Sequence, residues 1–138
     1  MNKISAFNVR VYGLLTKGEQ VLVCREPIKK QMVIKFPGGG LEFGEGIVDC
    51  LKREWKEELD IEIDILRHYY TTESFVQSAF ADEDQLISIY YEVTTNSSIP
   101  AEYDGIQYFW LDLRQENIDQ LEFPMDKVVF KQLMAAVQ

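Results

Sequence analysis

Three glutamates within five residues carry the clearest chemical signal in this sequence. Glu54, Glu57 and Glu58 follow i, i+3, i+4 spacing, which on a helix places their carboxylates on one face. Like charges one turn apart destabilise a helix by about 0.2–0.5 kcal/mol, so this cluster needs a compensating partner. Hard oxygen ligands suit Mg²⁺ or Mn²⁺, which hold phosphate oxygens in their remaining positions. The alternative is an ordinary solvated acidic face, and the surrounding sequence decides between the two interpretations.

A run of glycines ahead of the glutamates favours a cation site for phosphate chemistry. The segment Pro37-Gly38-Gly39-Gly40 predicts a specialised loop that no regular element tolerates. Glycines allow backbone N–H and C=O groups to approach an ion or a phosphate closely. Four basic residues before the run are candidates to contact phosphates, with solvation as the alternative for the two middle ones: Arg25, Lys29, Lys30 and Lys35. We expect substrate binding from Gly38, Gly39, Gly40 and Arg25.

Positioning the glutamates requires a helix, and the sequence predicts one over 47–59. Val48, Leu51, Trp55 and Leu59 form one apolar stripe at helical spacing, so this stripe should face the core. The glutamates stand beside that stripe rather than opposite it. Gly46 is a tolerable N-cap for this helix.

The remaining pattern predicts strands around this helix and a second helix at the end. Alternating or continuous apolar residues predict strands over 7–15, 20–25, 86–94 and 106–111, a long or bent strand within 61–80, and a terminal helix over 124–137. Polar loops are expected over 81–85 and 96–105. This order predicts an α/β fold, with a mixed sheet covered on both faces.

Rival motifs for phosphate or nucleophile chemistry do not fit. No Gly-Lys-Ser/Thr follows the glycines, which excludes a P-loop, and Asp49 stands where a dinucleotide fingerprint needs a third small residue. The single histidine, His68, lies in a predicted strand without a nucleophile near it, so Ser-His-Asp chemistry is not credible.

Together the glycine run and the helix resemble the Nudix box, G-x5-E-x7-R-E-U-x-E-E-x-G-U, in which U is a bulky apolar residue. Seven positions match: Gly39, Glu45, Arg53, Glu54, Glu57, Glu58 and Ile61. Trp55 satisfies the first U only loosely, since an aliphatic residue is usual there. Asp60 replaces the closing glycine, and Asp tolerates left-handed backbone geometry better than most residues. Neither departure removes a carboxylate.

This resemblance implies a Nudix-type α/β/α sandwich and a single Nudix hydrolase domain over 1–138. It implies Mg²⁺-dependent hydrolysis of a pyrophosphate bond in a nucleoside diphosphate linked to another moiety, with water as the attacking group. The substrate class stays open among nucleoside triphosphates, ADP-ribose, sugar nucleotides and dinucleoside polyphosphates. The alternative function is a Nudix-like domain that binds a nucleotide or sugar nucleotide as a sensor without turnover. The intact glutamates favour the enzyme, because a pure binder does not need all three.

The resemblance also implies roles for individual residues. The metal ligands would be Glu54, Glu57, Glu58 and the carbonyl of Gly38 or a neighbour. Arg53 would orient Glu54 or Glu57 through an ion pair, and Glu45 would brace the loop against the helix. Some Nudix enzymes place an acid in a loop before the late strand that ends in an aromatic residue.

That comparison makes Glu102 our candidate general base, in the loop before strand 106–111. Asp104 lies in the same loop, and we favour Glu102 because its longer side chain can swing further. The rival set lies in the other polar loop: Asp82, Glu83 and Asp84.

Composition limits the partners and the compartment. Fourteen basic and twenty-three acidic residues give a net charge of −9, which argues against polymeric nucleic acid or an anionic membrane as partners. A small anionic substrate remains compatible, because a bound cation reverses the local field. Cys24 and Cys50 are expected as reduced core thiols. No leader or membrane-spanning run is expected, so we predict a cytoplasmic protein that binds a nucleotide-type small molecule, and we leave a homodimer open.

Overall fold

The computed structural model describes residues 3–137, so the two ends of the predicted 1–138 domain (1, 2 and 138) lie outside the described residues. Nine strands are formed within this range: β1 (Ala6–Leu14), β2 (Thr16–Lys17), β3 (Gln20–Ile28), β4 (Gln31–Lys35), β5 (Gly38–Gly40), β6 (Asp64–Thr71), β7 (Asp84–Thr94), β8 (Glu102–Tyr103) and β9 (Ile106–Asp112). The helices are α1 (Ile47–Leu59), a 3₁₀ helix (Gln115–Gln120) and α2 (Pro124–Ala136).

The strands form two sheets. In the first, the order is β5-β1-β7-β6, and β1 and β7 are parallel while the other pairs are antiparallel. In the second, β3 is central: it pairs antiparallel with β2, β4 and β9, and β9 continues to β8. Parallel neighbours need a long connection, and the chain between β1 and β7 contains α1. The expected mixed-sheet α/β fold is confirmed, with the strands divided between two sheets.

Two hydrophobic cores lie on opposite faces of β3. Leu22 and Cys24 belong to the cluster under α1, whereas Val21 and Val23 belong to the cluster that contains Phe130 of α2. Successive side chains of a strand point to opposite faces, so a strand that is apolar throughout can serve both cores. The two helices therefore cover the two sides of the strands, which is the predicted α/β/α arrangement.

The prediction that no regular element tolerates the glycine run was wrong. Gly38, Gly39 and Gly40 form β5 and pair with Tyr12, Val11 and Arg10 of β1. A methyl group on Gly38 would lie 2.1 Å from the Val11 carbonyl oxygen. The two backbones can approach this closely only because this residue has no side chain.

Other differences concern short elements and their ends. The long strand expected within 61–80 ends at Thr71, and beyond it Gln77 forms only an isolated bridge with Gln85. The sequence pattern also missed β4 and the 3₁₀ helix. The segment expected as a polar loop over 96–105 contains β8, and Asp104 and Gly105, both with positive φ, turn it back into β9.

Candidate metal centre

The three glutamates lie on one side of helix α1, but their side chains differ in burial. Of the apolar stripe predicted from the spacing, Leu51, Trp55 and Leu59 are buried, whereas Val48 is half-buried. Glu54 lies beside it with 9% of its surface exposed, while the side chain of Glu57 is 58% exposed. The helix ends at Asp60, whose φ of 55° is left-handed and whose N–H donates to the Lys56 carbonyl, 3.1 Å away. The replacement of the usual glycine by Asp60 thus leaves the helix end intact.

The carboxylate of Glu54 lies directly against the glycine strand. A methyl group on Gly39 would lie 1.6 Å from Glu54 Oε2, so only glycine fits at this position. Burial raises the pKa of Glu54, because a desolvated carboxylate favours its neutral form. The motif spacing between Gly39 and Glu54 therefore corresponds to a direct contact between β5 and α1.

Glu58 is the most unusual of the three carboxylates. Its Oε2 atom is fully buried and has no hydrogen-bond partner. Burial raises the pKa of this side chain to about 7. Its backbone carbonyl accepts a hydrogen bond from the hydroxyl of Tyr108, 2.9 Å away, which anchors the end of α1 to β9. A buried carboxylate oxygen without a partner is costly, and a bound cation would satisfy it.

Arg53 connects the loop, the glycine strand and two glutamates. Its Nε and Nη2 donate to both carboxylate oxygens of Glu45 at 2.7 and 2.8 Å, and Nη2 also donates to the Gly40 carbonyl at 3.0 Å. Its Nη1 donates to Glu57 at 3.2 Å and to Glu54 at 3.4 Å. The hydrogen bonds from Arg53 lower the pKa of Glu45 to about 2. Arg53 and Glu45 thus hold the loop to the helix as a bidentate pair.

Lys35 does not contact solvent, so its expected role in binding substrate phosphates is wrong. The side chain is completely buried, with Nζ 3.2 Å from Glu26 Oε1 and 3.9 Å from Cys24 Sγ. The ammonium also lies 5.4 Å from the centre of the Tyr12 ring. Lys35 is a buried cation paired with Glu26, and its charge opposes the burial-driven rise in the pKa of Glu58. No motif in the sequence marks Glu26 as the partner of Lys35.

Two of the predicted site residues, Arg25 and Glu102, have exposed side chains, unlike the buried carboxylate of Glu54. Arg25 is exposed and neighbours Cys24 and Glu26 along β3, so by alternation it points away from the face on which those two contact Lys35. Glu102 is exposed on β8, opposite Gln107, rather than on a free loop. Short pairing with β9 limits its movement, so the expected mobile loop is corrected to a hairpin. The roles of Arg25 and Glu102 stay predictions.

A cavity of about 270 Å³ lies on the other side of β1 from the α1 core. Its lining includes Arg10, Tyr12, Phe80, Tyr90 and Asp126. Asp126 is fully buried at the start of α2, and burial raises its pKa to about 6. Its carboxylate accepts hydrogen bonds from the Tyr90 hydroxyl at 2.6 Å and from the Phe36 N–H at 3.4 Å. No sequence pattern connects these residues, because the cavity brings together β1, β7, the segment 78–81 and α2.

The donor set fits a hard divalent cation. Among residues 3–137, no three acidic, histidine or cysteine side chains already surround a common point closely enough to bind an ion. Glu57 in particular is engaged by Arg53. The unpartnered oxygen of Glu58 and the nearby carboxylate of Glu54 nevertheless supply the hard oxygens that Mg²⁺ and Mn²⁺ prefer, and such ions keep several waters as ligands.

Solved structures share this fold. The Escherichia coli ORF135 protein has a TM-score of 0.76 at 18% identity, over 96% of this chain and 91% of that one. The MutT protein of Methanosarcina mazei Go1 has a TM-score of 0.74 at 20% identity, over 99% and 97% of the two chains. A Bacillus halodurans MutT protein gives 0.71 at 19%, over 93% and 82%. At such identities the likeness establishes the fold alone.

No curated protein matches the sequence significantly. Within residues 3–137, none of the helices combines the length and the apolar character needed to cross a membrane. The model of the NUDIX domain matches residues 6–132, which contain every element that forms the site. The chain therefore belongs to the Nudix hydrolases, a family that acts on nucleoside diphosphate derivatives.

Proposed function

We propose that this protein hydrolyses a phosphoanhydride bond in a nucleoside diphosphate linked to another moiety, using water and Mg²⁺ or Mn²⁺. The observation that carries the proposal is the buried Oε2 of Glu58, which has no partner although Glu54 brings a second carboxylate to the same face. Two desolvated carboxylates repel each other. A divalent cation would neutralise this repulsion and supply the partner that the Glu58 oxygen lacks.

The ion would be held by Glu54, Glu57, Glu58 and the carbonyl of Gly38. It would supply charge neutralisation at the pyrophosphate and a bound water of lowered pKa. Before contributing, the Glu57 carboxylate has to leave Arg53, which is feasible for a side chain that is mostly exposed. Arg53 would keep Glu45 and Gly40 in place meanwhile.

The group attached to the diphosphate would lie in the 270 Å³ cavity. Arg10 and Tyr12 link the two regions, because both line the cavity while their backbones pair with Gly40 and Gly38. The aromatic rings of Phe80 and Tyr90 offer apolar contact to a base or sugar. Nucleoside triphosphates, ADP-ribose, sugar nucleotides and dinucleoside polyphosphates all remain in the substrate class.

We also propose a cytoplasmic location, supported by two buried cysteines, Cys24 and Cys50, that are not joined in a disulfide. Reduced thiols are typical of compartments that keep glutathione reduced.

The test is a panel of these four compound classes assayed for phosphate or pyrophosphate release, with Mg²⁺ or with excess EDTA. We expect turnover of at least one class only with the metal, and a higher melting temperature when Mg²⁺ is added. Glu58→Gln should lower turnover by orders of magnitude while the protein stays folded. Tight nucleotide binding without release of either product would instead favour the sensor alternative. Unchanged turnover in EDTA would remove the metal from the proposal.

A further inference from the structure

Trp55 occupies the position of the Nudix pattern where an aliphatic residue is usual, and it makes a polar contact that no aliphatic side chain could make. The indole is completely buried, and its Nε1 donates to the Pro37 carbonyl, 3.3 Å away. The same carbonyl accepts the N–H of Gly13 at 2.9 Å. The Pro37 carbonyl is therefore held from two sides, by α1 and by β1.

Space for the indole depends on Gly13. A methyl group on Gly13 would lie 2.8 Å from both Nε1 and Cζ2 of Trp55. Real Cβ atoms do not approach ring atoms so closely, so the indole lies against bare backbone of β1. Trp55 and Gly13 form a matched pair, since the large ring requires the absent side chain.

The carbonyl held by this pair belongs to Pro37, the residue immediately before the glycine strand. Pro37 is followed by Gly38 and Gly39, and Gly39 lies against the carboxylate of Glu54. Glu54 directly precedes Trp55 on α1, so two consecutive helix residues contact Gly39 and Pro37 of one short segment. A shift of the indole would change the separation between the Gly38–Gly39 backbone and Glu54.

We infer that Trp55 is a positioning residue for the cation site: its N–H fixes the Pro37 carbonyl, and the glycine backbone is thereby held at the correct distance from Glu54. Gly13 contributes to this positioning, because the indole ring fits only where residue 13 has no side chain. The inference rests on the proposed function, and it deepens it by explaining the departure from the family pattern.

The direct test is Trp55→Phe, which keeps an aromatic ring in the core but removes the N–H donor. We expect the dissociation constant for Mn²⁺ alone, measured by titration calorimetry, to rise roughly tenfold, the lower end of the range for residues that orient metal ligands. Phe130→Leu is the control, because Phe130 is equally buried but belongs to the α2 core. Its melting temperature should fall while its Mn²⁺ affinity stays within about twofold of the wild-type value.

A second measurement covers the case in which Trp55→Phe folds poorly. Gly13→Ala should lower the melting temperature of the wild-type protein by several degrees, whereas in a Trp55→Leu background it should change little, since the clashing ring is gone. Equal losses in both backgrounds would show that the pair is not coupled. A wild-type protein that binds Mn²⁺ no more tightly than Trp55→Phe overturns the inference alone. A wild-type protein that binds no Mn²⁺ contradicts the proposed function and this inference with it.

Discussion

Glu54, Glu57 and Glu58 share one helix face, yet the surroundings of each carboxylate differ. The Glu54 carboxylate lies against the glycine backbone. The largely exposed Glu57 carboxylate accepts a hydrogen bond from Arg53, and Glu58 has a buried oxygen without a hydrogen-bond partner. Burial raises the pKa of Glu54 and Glu58, whereas the hydrogen bonds from Arg53 hold the pKa of Glu45 near 2. Neighbouring acids on one motif are therefore divided between candidates for metal binding and a structural brace.

The general base gives the prediction at the scale of single residues. Glu102→Gln should reduce turnover by about 10²- to 10⁴-fold, because it removes the proton acceptor while preserving the shape of the side chain. Substrate KM should change little. Turnover would be measured across pH 5–9 beside two matched amide variants, Asp104→Asn in the same hairpin and Glu83→Gln in the other loop. A loss confined to Glu83→Gln would move the base to that loop.

Strand β5 and helix α1 act as one unit. The glycine strand pairs with β1, while the middle of α1 is attached to Gly40 through Arg53 and to Pro37, the residue before the strand, through Trp55. A short strand of three glycines has no side chains of its own to pack, so these contacts hold it. The motif therefore specifies an interface between two elements as well as a set of ligands.

Gly39→Ala tests that interface. The new methyl group would lie 1.6 Å from Glu54 Oε2, so the carboxylate must move away from β5. We expect Mg²⁺ affinity to fall about tenfold or more with the secondary structure retained in circular dichroism. Gly46→Ala is the control, because its methyl group would meet only the exposed tip of Asp49, at 3.2 Å. Equal metal affinity in Gly39→Ala and wild type would contradict the contact.

The whole molecule buries several ionisable groups between its sheets and helices. Lys35 pairs with Glu26, and Asp126 accepts a hydrogen bond from the Tyr90 hydroxyl beside the cavity. The first pair joins adjacent strands of one hairpin, whereas the second joins β7 to α2, 36 residues apart in the chain. Burial of carboxyl groups makes the stability of the metal-free protein depend on pH.

The sign of that dependence follows from the raised pKa values. Folding raises the pKa of Glu58 from 4.5 to about 7 and that of Asp126 from 3.8 to about 6, so the folded state binds more protons between those limits. The free energy of unfolding should therefore fall as pH rises from about 4 to about 7, by on the order of 2 kcal/mol per group. Denaturant unfolding in EDTA, repeated across this pH range, measures the change in the free energy of unfolding.

Two variants separate these contributions. Glu58→Gln should flatten the upper part of the pH profile and Asp126→Asn the lower part, since each removes one titrating group. Mg²⁺ should counteract the decline near pH 7, because it binds the ionised glutamates. A metal-free profile that is flat between pH 4 and pH 7 would contradict both assignments.

The sequence alone determined the α1 helix, the glutamate face and the family resemblance, because helical periodicity and motif spacing are local properties of the chain. It also determined that Asp60 could replace the closing glycine, since the left-handed geometry is a property of one residue. Only the tertiary structure decided that the glycine run is a strand, that Lys35 is buried beside Glu26, and that Asp126 and Arg10 line the same cavity. Those outcomes depend on which elements pack together, and the energies that select them come from contacts between residues distant in sequence.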